Sequence, residues 1–194
     1  MKFLNPVIST PTLNTERLLL NRFTFDDTAD MFYGWANSET ATKYMFMTPC
    51  KTMEACRDAI QKATDLYALE STYNHWAIRL QSRCIGMTAL FVDSRHHSAR
   101  ISYVTAPEFW GNGYTTEAVK AVLKYGFEAL KLHRVEADHF AENTASGRVM
   151  RKAGMIQEGI SREKYYKFSA YHDVVCYGIL ENEWKDLHCP YLQY

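Results

Sequence analysis

One run constrains the chain more than any other. Between residues 99 and 131 the side-chain period changes from two to about 3.6, around a proline and two glycines. Ala99 to Ala106 (Ala-Arg-Ile-Ser-Tyr-Val-Thr-Ala) is rich in β-branched and aromatic residues and predicts a strand. Pro107 stops it, because proline cannot donate to a sheet ladder. Glu108 to Thr116 then opens a helix. On that helix Ala118, Val119, Val122, Leu123, Gly126 and Leu130 share one face, and Glu117, Lys120, Lys124, Glu128 and Lys131 the other.

A glycine-rich turn that feeds a helix N-terminus suits an anion. First-turn N–H groups have no intrahelical partner, and the macrodipole adds about half a positive charge there. Gly111 and Gly113 lack a Cβ, so an anion can approach the backbone closely. No Walker lysine is present, and no third glycine completes a dinucleotide fingerprint. Nothing therefore points to ATP, Mg²⁺ or NAD. From this motif alone, an ordinary turn reads as well as an anion cradle.

Composition narrows the classes. The chain has 194 residues, enough for one domain spanning 1–194 with a proper core, here about 13–184. Twenty-two basic side chains match 22 acidic ones, which argues against a general nucleic-acid or membrane-surface binder. No apolar run approaches the ~20 residues of a membrane span. Met1 to Thr12 lacks the pattern of a secretory signal. Cys50, Cys56, Cys84, Cys176 and Cys189 are odd in number and form no C-x-x-C pair. The expectation is reduced thiols in a cytoplasmic protein, with no metal and no disulfide framework.

Along the chain, an extended lead-in precedes a short strand at Arg17 to Arg22. Asp26 and Asp27 favour a helix start, with Phe32, Trp35 and Ala36 on its apolar face. A short helix follows Ser38, and Thr52 caps a longer one. Strands are predicted at His75 to Leu80, Cys84 to Val92, Arg134 to Phe140, Met155 to Lys167 and Ala170 to Leu180. Asn143 caps a further helix that Gly154 ends. His96 and His97 fall in a polar turn with no third ligand nearby. The whole reads as one mixed α+β domain.

Four stretches carry a family resemblance. Trp110-Gly111-Asn112-Gly113-Tyr114-Thr115-Thr116-Glu117-Ala118 resembles the acyl-CoA pyrophosphate loop of the GNAT superfamily of N-acetyltransferases. Thr15 to Leu20, Glu142 to Ser146 and Tyr171 to Val174 resemble segments of its ribosomal-protein N-terminal acetyltransferase branch, the RimJ/RimL-like enzymes, in the same order. The resemblance covers about residues 13 to 184. It implies a mixed, mostly antiparallel sheet with a splayed central strand and flanking helices. It implies transfer of acetyl from acetyl-CoA to a primary amine, either a peptide N-terminus or a small molecule, and a homodimer is compatible with it. The rival reading is a non-catalytic acyl-CoA-binding or interaction module that kept the fold.

The resemblance also distributes roles. Tyr103, Val104 and Thr105 pair with the pantetheine arm, and Trp110, Gly111, Asn112, Gly113, Tyr114, Thr115 and Thr116 hold the diphosphate. Asn143 contacts the arm and Ser146 lies near the sulfur; the bland alternative makes them a helix cap and a first-turn serine. An α-amine titrates near about 8 and a lysine amine near about 10.4, so a proton must leave before attack. The Val104 N–H is the candidate oxyanion donor. The branch places a glutamate where this chain has Tyr165, which becomes a candidate acid or pocket wall. Glu163 shares its strand parity and is the candidate carboxylate. Glu136 shares a face with Arg134 and Asp138, where a structural ion pair reads equally well. Phe32, Trp35, Tyr44, Phe46, Tyr165, Tyr166 and Phe168 are candidates for the acceptor wall.

Overall fold

The computed structural model describes residues 10–45, 49–68 and 73–188. Within them the alternating runs pair into an eight-stranded sheet, ordered β1-β2-β3-β4-β5-β6-β8-β7. The strands are β1 (Leu13–Asn14), β2 (Leu18–Asn21), β3 (Tyr73–Leu80), β4 (Arg83–Asp93), β5 (Ser98–Thr105), β6 (Arg134–Phe140), β7 (Ile156–Lys167) and β8 (Ala170–Leu180). Every neighbouring pair is antiparallel except β5 and β6.

The β5–β6 junction positions everything that follows. The two strands pair only through Ser98↔Arg134, Ala99↔Val135 and Arg100↔Glu136. β5 then runs on to Thr105 and β6 to Phe140 without meeting again. The expected splay is therefore present, and it opens toward the C-terminal ends of both strands.

Helices cover the two faces. On one face lie α4 (Tyr114–Lys124), α5 (Thr144–Lys152) and α6 (Glu181–His188). The predicted apolar face of α4 is buried against Trp76, Ile78, Leu90 and Ile101. A π-helical turn, Tyr125–Ala129, continues α4, and Trp184 of α6 stacks on Phe127 at 5.6 Å. α6 was not anticipated from sequence. On the other face lie α1 (Thr28–Met31), α2 (Glu39–Thr42) and α3 (Met53–Ala68). There Trp35, Ile60, Cys56 and Ala77 form a second core with Val104 and Ala106.

Local caps follow the sequence signals. Thr52 Oγ1 accepts from the Ala55 N–H at 3.1 Å, and Ser38 Oγ from Ala41 at 3.2 Å. The predicted helix over Asp26 to Asn37 is instead a 3-10 turn, α1 and a π-helical turn at Phe32–Ala36. Asp27 does more than complement a dipole. It is 1% exposed, accepts from the Thr24 N–H at 2.8 Å, and pairs in fork geometry with Arg79 of β3, one arm at 2.8 Å.

Candidate active site

The loop between β5 and α4 is shaped as an amide cradle. Gly111 and Gly113 take φ of 80° and 83°, left-handed values that a Cβ would strain. A Cβ at Gly111 would meet nothing within 4 Å, so it is the backbone angle and not crowding that calls for glycine there. Gly113 caps α4 without offering a side chain to the first-turn amides. Among the described residues, no backbone N–H from 111 to 116 has a hydrogen-bond acceptor.

Side chains hold that shape. Trp110 Nε1 donates to the Thr105 carbonyl at 2.7 Å. The Thr105 and Thr115 hydroxyls bond at 2.8 Å, tying the strand end to the helix start. Asn112 Nδ2 donates back to the Phe109 and Trp110 carbonyls at 3.2 and 3.1 Å. Arg17 reaches the loop from the start of β2, donating to the Asn112 carbonyl at 3.1 Å. Sequence reasoning placed Arg17 in a motif and gave it no role.

The ladder decides which amides face the open edge. Ala106 N–H donates to Ile85 of β4 at 2.8 Å, and the register Met87↔Val104 continues without a bulge. Backbone groups alternate along a strand, so the Val104 N–H points into β4 as well. This overturns its candidacy as the oxyanion donor. The amides of Tyr103 and Thr105 face the splayed edge instead. Val104 is 7% exposed, with its side chain in the core beneath α1 and α3.

Tyr103 and Ser146 meet across the splay. Their hydroxyls lie 2.9 Å apart, and the Tyr103 hydroxyl also donates to the Ser146 carbonyl at 3.1 Å. Burial raises the Tyr103 phenol above its ordinary pKa, so it stays protonated. Asn143 caps α5, its Oδ1 accepting from the Ser146 N–H at 3.4 Å. Beneath this turn sits His139, a residue the sequence did not single out. Its Nδ1 is 2.7 Å from the Phe140 carbonyl, a contact that requires the proton on Nδ1. Its buried Nε2 has no hydrogen-bond partner among the described residues and lies 2.6 Å from where a Cβ on Gly147 would be. Only glycine lets α5 approach β6 this closely.

The opposite face carries the charged groups. Tyr165 donates to Asp138 Oδ2 at 3.0 Å and accepts from Arg100 Nη1 at 3.1 Å. Lys164 Nζ reaches the same Asp138 oxygen at 2.8 Å. Glu136, open between a base and an ion-pair partner on sequence, pairs with Arg100 at 3.6 Å and Arg134 at 3.8 Å. Arg100 is the last β5 residue paired to β6, so Tyr165 and Asp138 stand at the apex of the splay.

Glu163 is not where parity put it. The β7–β8 register slips between Ser161↔Val174 and Tyr165↔His172, leaving extra residues on β7. Glu163 sits in that bulge at φ 51°, exposed, with its N–H bonded to Asp173 at 2.8 Å. A bulge breaks the two-residue period, so Glu163 and Tyr165 no longer share a side.

Of the aromatic candidates, Tyr44 and Tyr165 both pack on Phe140, with ring centroids 5.8 Å away. Trp35 is core, Tyr166 and Phe168 are exposed on the hairpin, and Phe46 lies outside the described residues. Lys167 at the hairpin end donates to the carbonyls of Lys43 (2.9 Å), Thr42 (3.1 Å) and Met45, tying β7 to the end of α2. Among the described residues no cluster of three or more metal-ligating side chains occurs.

The geometry is thus a strand that leaves its neighbour, a turn of open amides after its end and a hydroxyl pair across the opening. The profile of the Acetyltransferase (GNAT) domain matches residues 17–156, and the chain belongs to this acetyltransferase family. It is 33% identical over 176 residues to the uncharacterised N-acetyltransferase YoaA of Bacillus subtilis, covering 88% of this chain and 97% of that one. A GNAT-family acetyltransferase from Bacillus anthracis superposes with a TM-score of 0.79 at 29% identity, over 89% and 99% of the two chains. Spermidine N-acetyltransferase of Vibrio cholerae, solved with CoA and spermine, has the same fold, with a TM-score of 0.75 at 22% identity over 88% and 99%.

Proposed function

We propose that this acetyltransferase takes its acetyl group from acetyl-CoA and passes it to a primary amine by direct attack on the thioester. One observation carries the reading. The bare amides of residues 111–116 follow the C-terminal end of β5, and the Tyr103–Ser146 pair lies on the same strand where it has already parted from β6. The first can hold a diphosphate. The Tyr103 carbonyl and the Thr105 N–H can pair with a pantetheine arm. The second can serve its sulfur.

Acetyl-CoA supplies the activated carbonyl. As the amine adds to that carbon, the C–N bond forms and charge develops on the carbonyl oxygen. Tyr103 N–H, on the open edge, is the donor best placed for it. When the C–S bond breaks, the Ser146 hydroxyl, placed by Tyr103, turns its proton to hydrogen-bond the departing thiolate, and the proton that the new C–N nitrogen sheds passes to water, which protonates the thiolate to CoA. The amine enters from the opposite face, past Phe140, Tyr44 and Tyr165. Tyr165, held by Asp138 and Arg100, is the hydroxyl that meets it there. Asn143 holds the α5 turn that presents Ser146. Among the described residues the free cysteines support a reducing, cytoplasmic setting, and no helix there is long and apolar enough to cross a membrane.

The test is turnover. The protein is incubated with acetyl-CoA and a panel of peptide N-termini, lysine peptides, polyamines and amino sugars, and CoA release is followed. Release that depends on an amine, with acetylated amine found by mass spectrometry, is the expected result. Tight acetyl-CoA binding without turnover on any amine favours the binding-module alternative.

A further inference from the structure

We propose that Arg17 is a positioning residue for the diphosphate half of the donor, acting by fixing the shape of the amide loop. The proposal rests on reading that loop as the diphosphate site. Arg17 lies before β2, about a hundred residues from the loop in sequence, yet it makes a dense set of contacts there. Its Nε donates to Glu117 Oε2 at 2.7 Å and its backbone N–H to Glu117 Oε1 at 2.9 Å. Nη1 donates to the Asn112 carbonyl at 3.1 Å. The guanidinium stacks over the Tyr114 ring at 4.5 Å. Nη2 lies 3.5 Å from the position a Cβ would take on Gly113. Thr15 completes the brace, donating to Glu117 Oε1 at 2.6 Å.

These contacts fall on Asn112, Gly113, Tyr114 and Glu117, the residues that turn the chain into α4. By holding the Asn112 carbonyl, Arg17 fixes the peptide plane that carries the Gly113 N–H, because carbonyl and amide of one peptide point in opposite directions. That N–H is one of those left for an anion. The pair is partly exposed, with side chains 42% and 17% accessible. Such a pair contributes little to global stability. Its effect is local geometry, and its charge is already balanced by Glu117, whose carboxyl its hydrogen bonds hold below the usual range despite some desolvation.

The experiment compares two donors, acetyl-CoA and acetyl-pantetheine, which lacks the diphosphate. The wild type should use acetyl-CoA with much the higher kcat/KM. If it does not, the loop reading itself fails. For Arg17→Ala, KM for acetyl-CoA should rise roughly ten- to hundred-fold, the scale of a hydrogen bond to a charged group. Saturated kcat should stay within about twofold, and kcat/KM with acetyl-pantetheine should not change. Glu117→Gln keeps the Arg17 charge and loosens the brace. It should raise the acetyl-CoA KM too, which a direct phosphate ligand freed from its carboxylate would not show. Arg17→Lys should recover only part of the loss, since one ammonium cannot span Asn112 and Glu117 together. An unchanged acetyl-CoA KM in Arg17→Ala overturns the proposal. So does an equal loss with both donors, or a Glu117→Gln variant that binds acetyl-CoA as well as wild type.

Discussion

Replacing Ser146 with alanine separates catalysis from packing, because the structure makes its cost to stability small. Among the described residues Ser146 Oγ has one side-chain partner, the Tyr103 hydroxyl at 2.9 Å. When Oγ is removed, that phenol keeps the Ser146 carbonyl at 3.1 Å and is not orphaned. A neutral hydrogen bond is worth about 1 kcal/mol net, and alanine recovers up to about 0.5 kcal/mol of helix propensity. The cap from Asn143 uses the backbone N–H and survives. Net destabilisation should stay under about 1 kcal/mol, a fall in Tm of about 2–4 °C at most for a chain of this size. The rate should respond far more. A donor aimed at charge that develops in the transition state is worth about a hundredfold or more, or ~2.7 kcal/mol. The assay is thiol release at saturating acetyl-CoA and amine, with CoA affinity measured by calorimetry and Tm by scanning. The expected pattern is kcat down about a hundredfold, CoA affinity within about threefold, and Tm nearly unchanged. A kcat within twofold of wild type refutes the role and leaves Ser146 an ordinary first-turn residue.

Gly147→Ala should lower stability by about 1–3 kcal/mol and reduce activity, because its Cβ would fall 2.6 Å from His139 Nε2; adding His139→Ala should restore most of both, read by urea midpoint and initial rate. Asp27→Asn should cost about 3–5 kcal/mol, since it strands the Arg79 guanidinium, 13% exposed, beside a neutral amide; thermal scanning should show a Tm lower by roughly 10 °C. Burial lowers the His75 pKa from 6.5 to about 4. The unfolded chain therefore binds this proton first as pH falls, and roughly 2–3 kcal/mol of stability should be lost between about pH 6.5 and 4 and regained on raising the pH. His75→Phe should flatten that part of the urea-midpoint profile, and an unchanged slope would assign the dependence to other groups.

The parts legible in the sequence are those whose signal is local. The buried face of α4 follows from spacing alone, and β6 and β8 end where the residue pattern changes. The glycine turn and the Asn143 cap are likewise set by residues a few positions apart. What escaped depends on distant partners or on ladder phase. Arg17 finds its target about a hundred residues away. Asp138 gains its cationic and phenolic neighbours only when β5, β6 and β7 come together. The bulge that turns Glu163 outward has no glycine or proline to mark it, so the strand period was carried straight through. The direction of the Val104 N–H is a property of the β4–β5 ladder and cannot be read from β5 alone. His139 carries no local sequence signal. Its significance lies in the absent side chain of Gly147 opposite.

The tether from Lys167 to the carbonyls ending α2 has a consequence for breadth of choice among acceptors. It fastens the tip of a two-strand arm to the far bank of the entrance with a single flexible stem. On the proposed reading, in which the amine enters between these two segments, the length of one side chain then governs their spacing, remote from the bonds being made and broken. Exchanging it for arginine or methionine would reset the gauge while leaving Tyr103, Ser146 and the amide turn as they are. Under that reading, which amines are admitted is adjustable at this one ruler without rebuilding the chemistry.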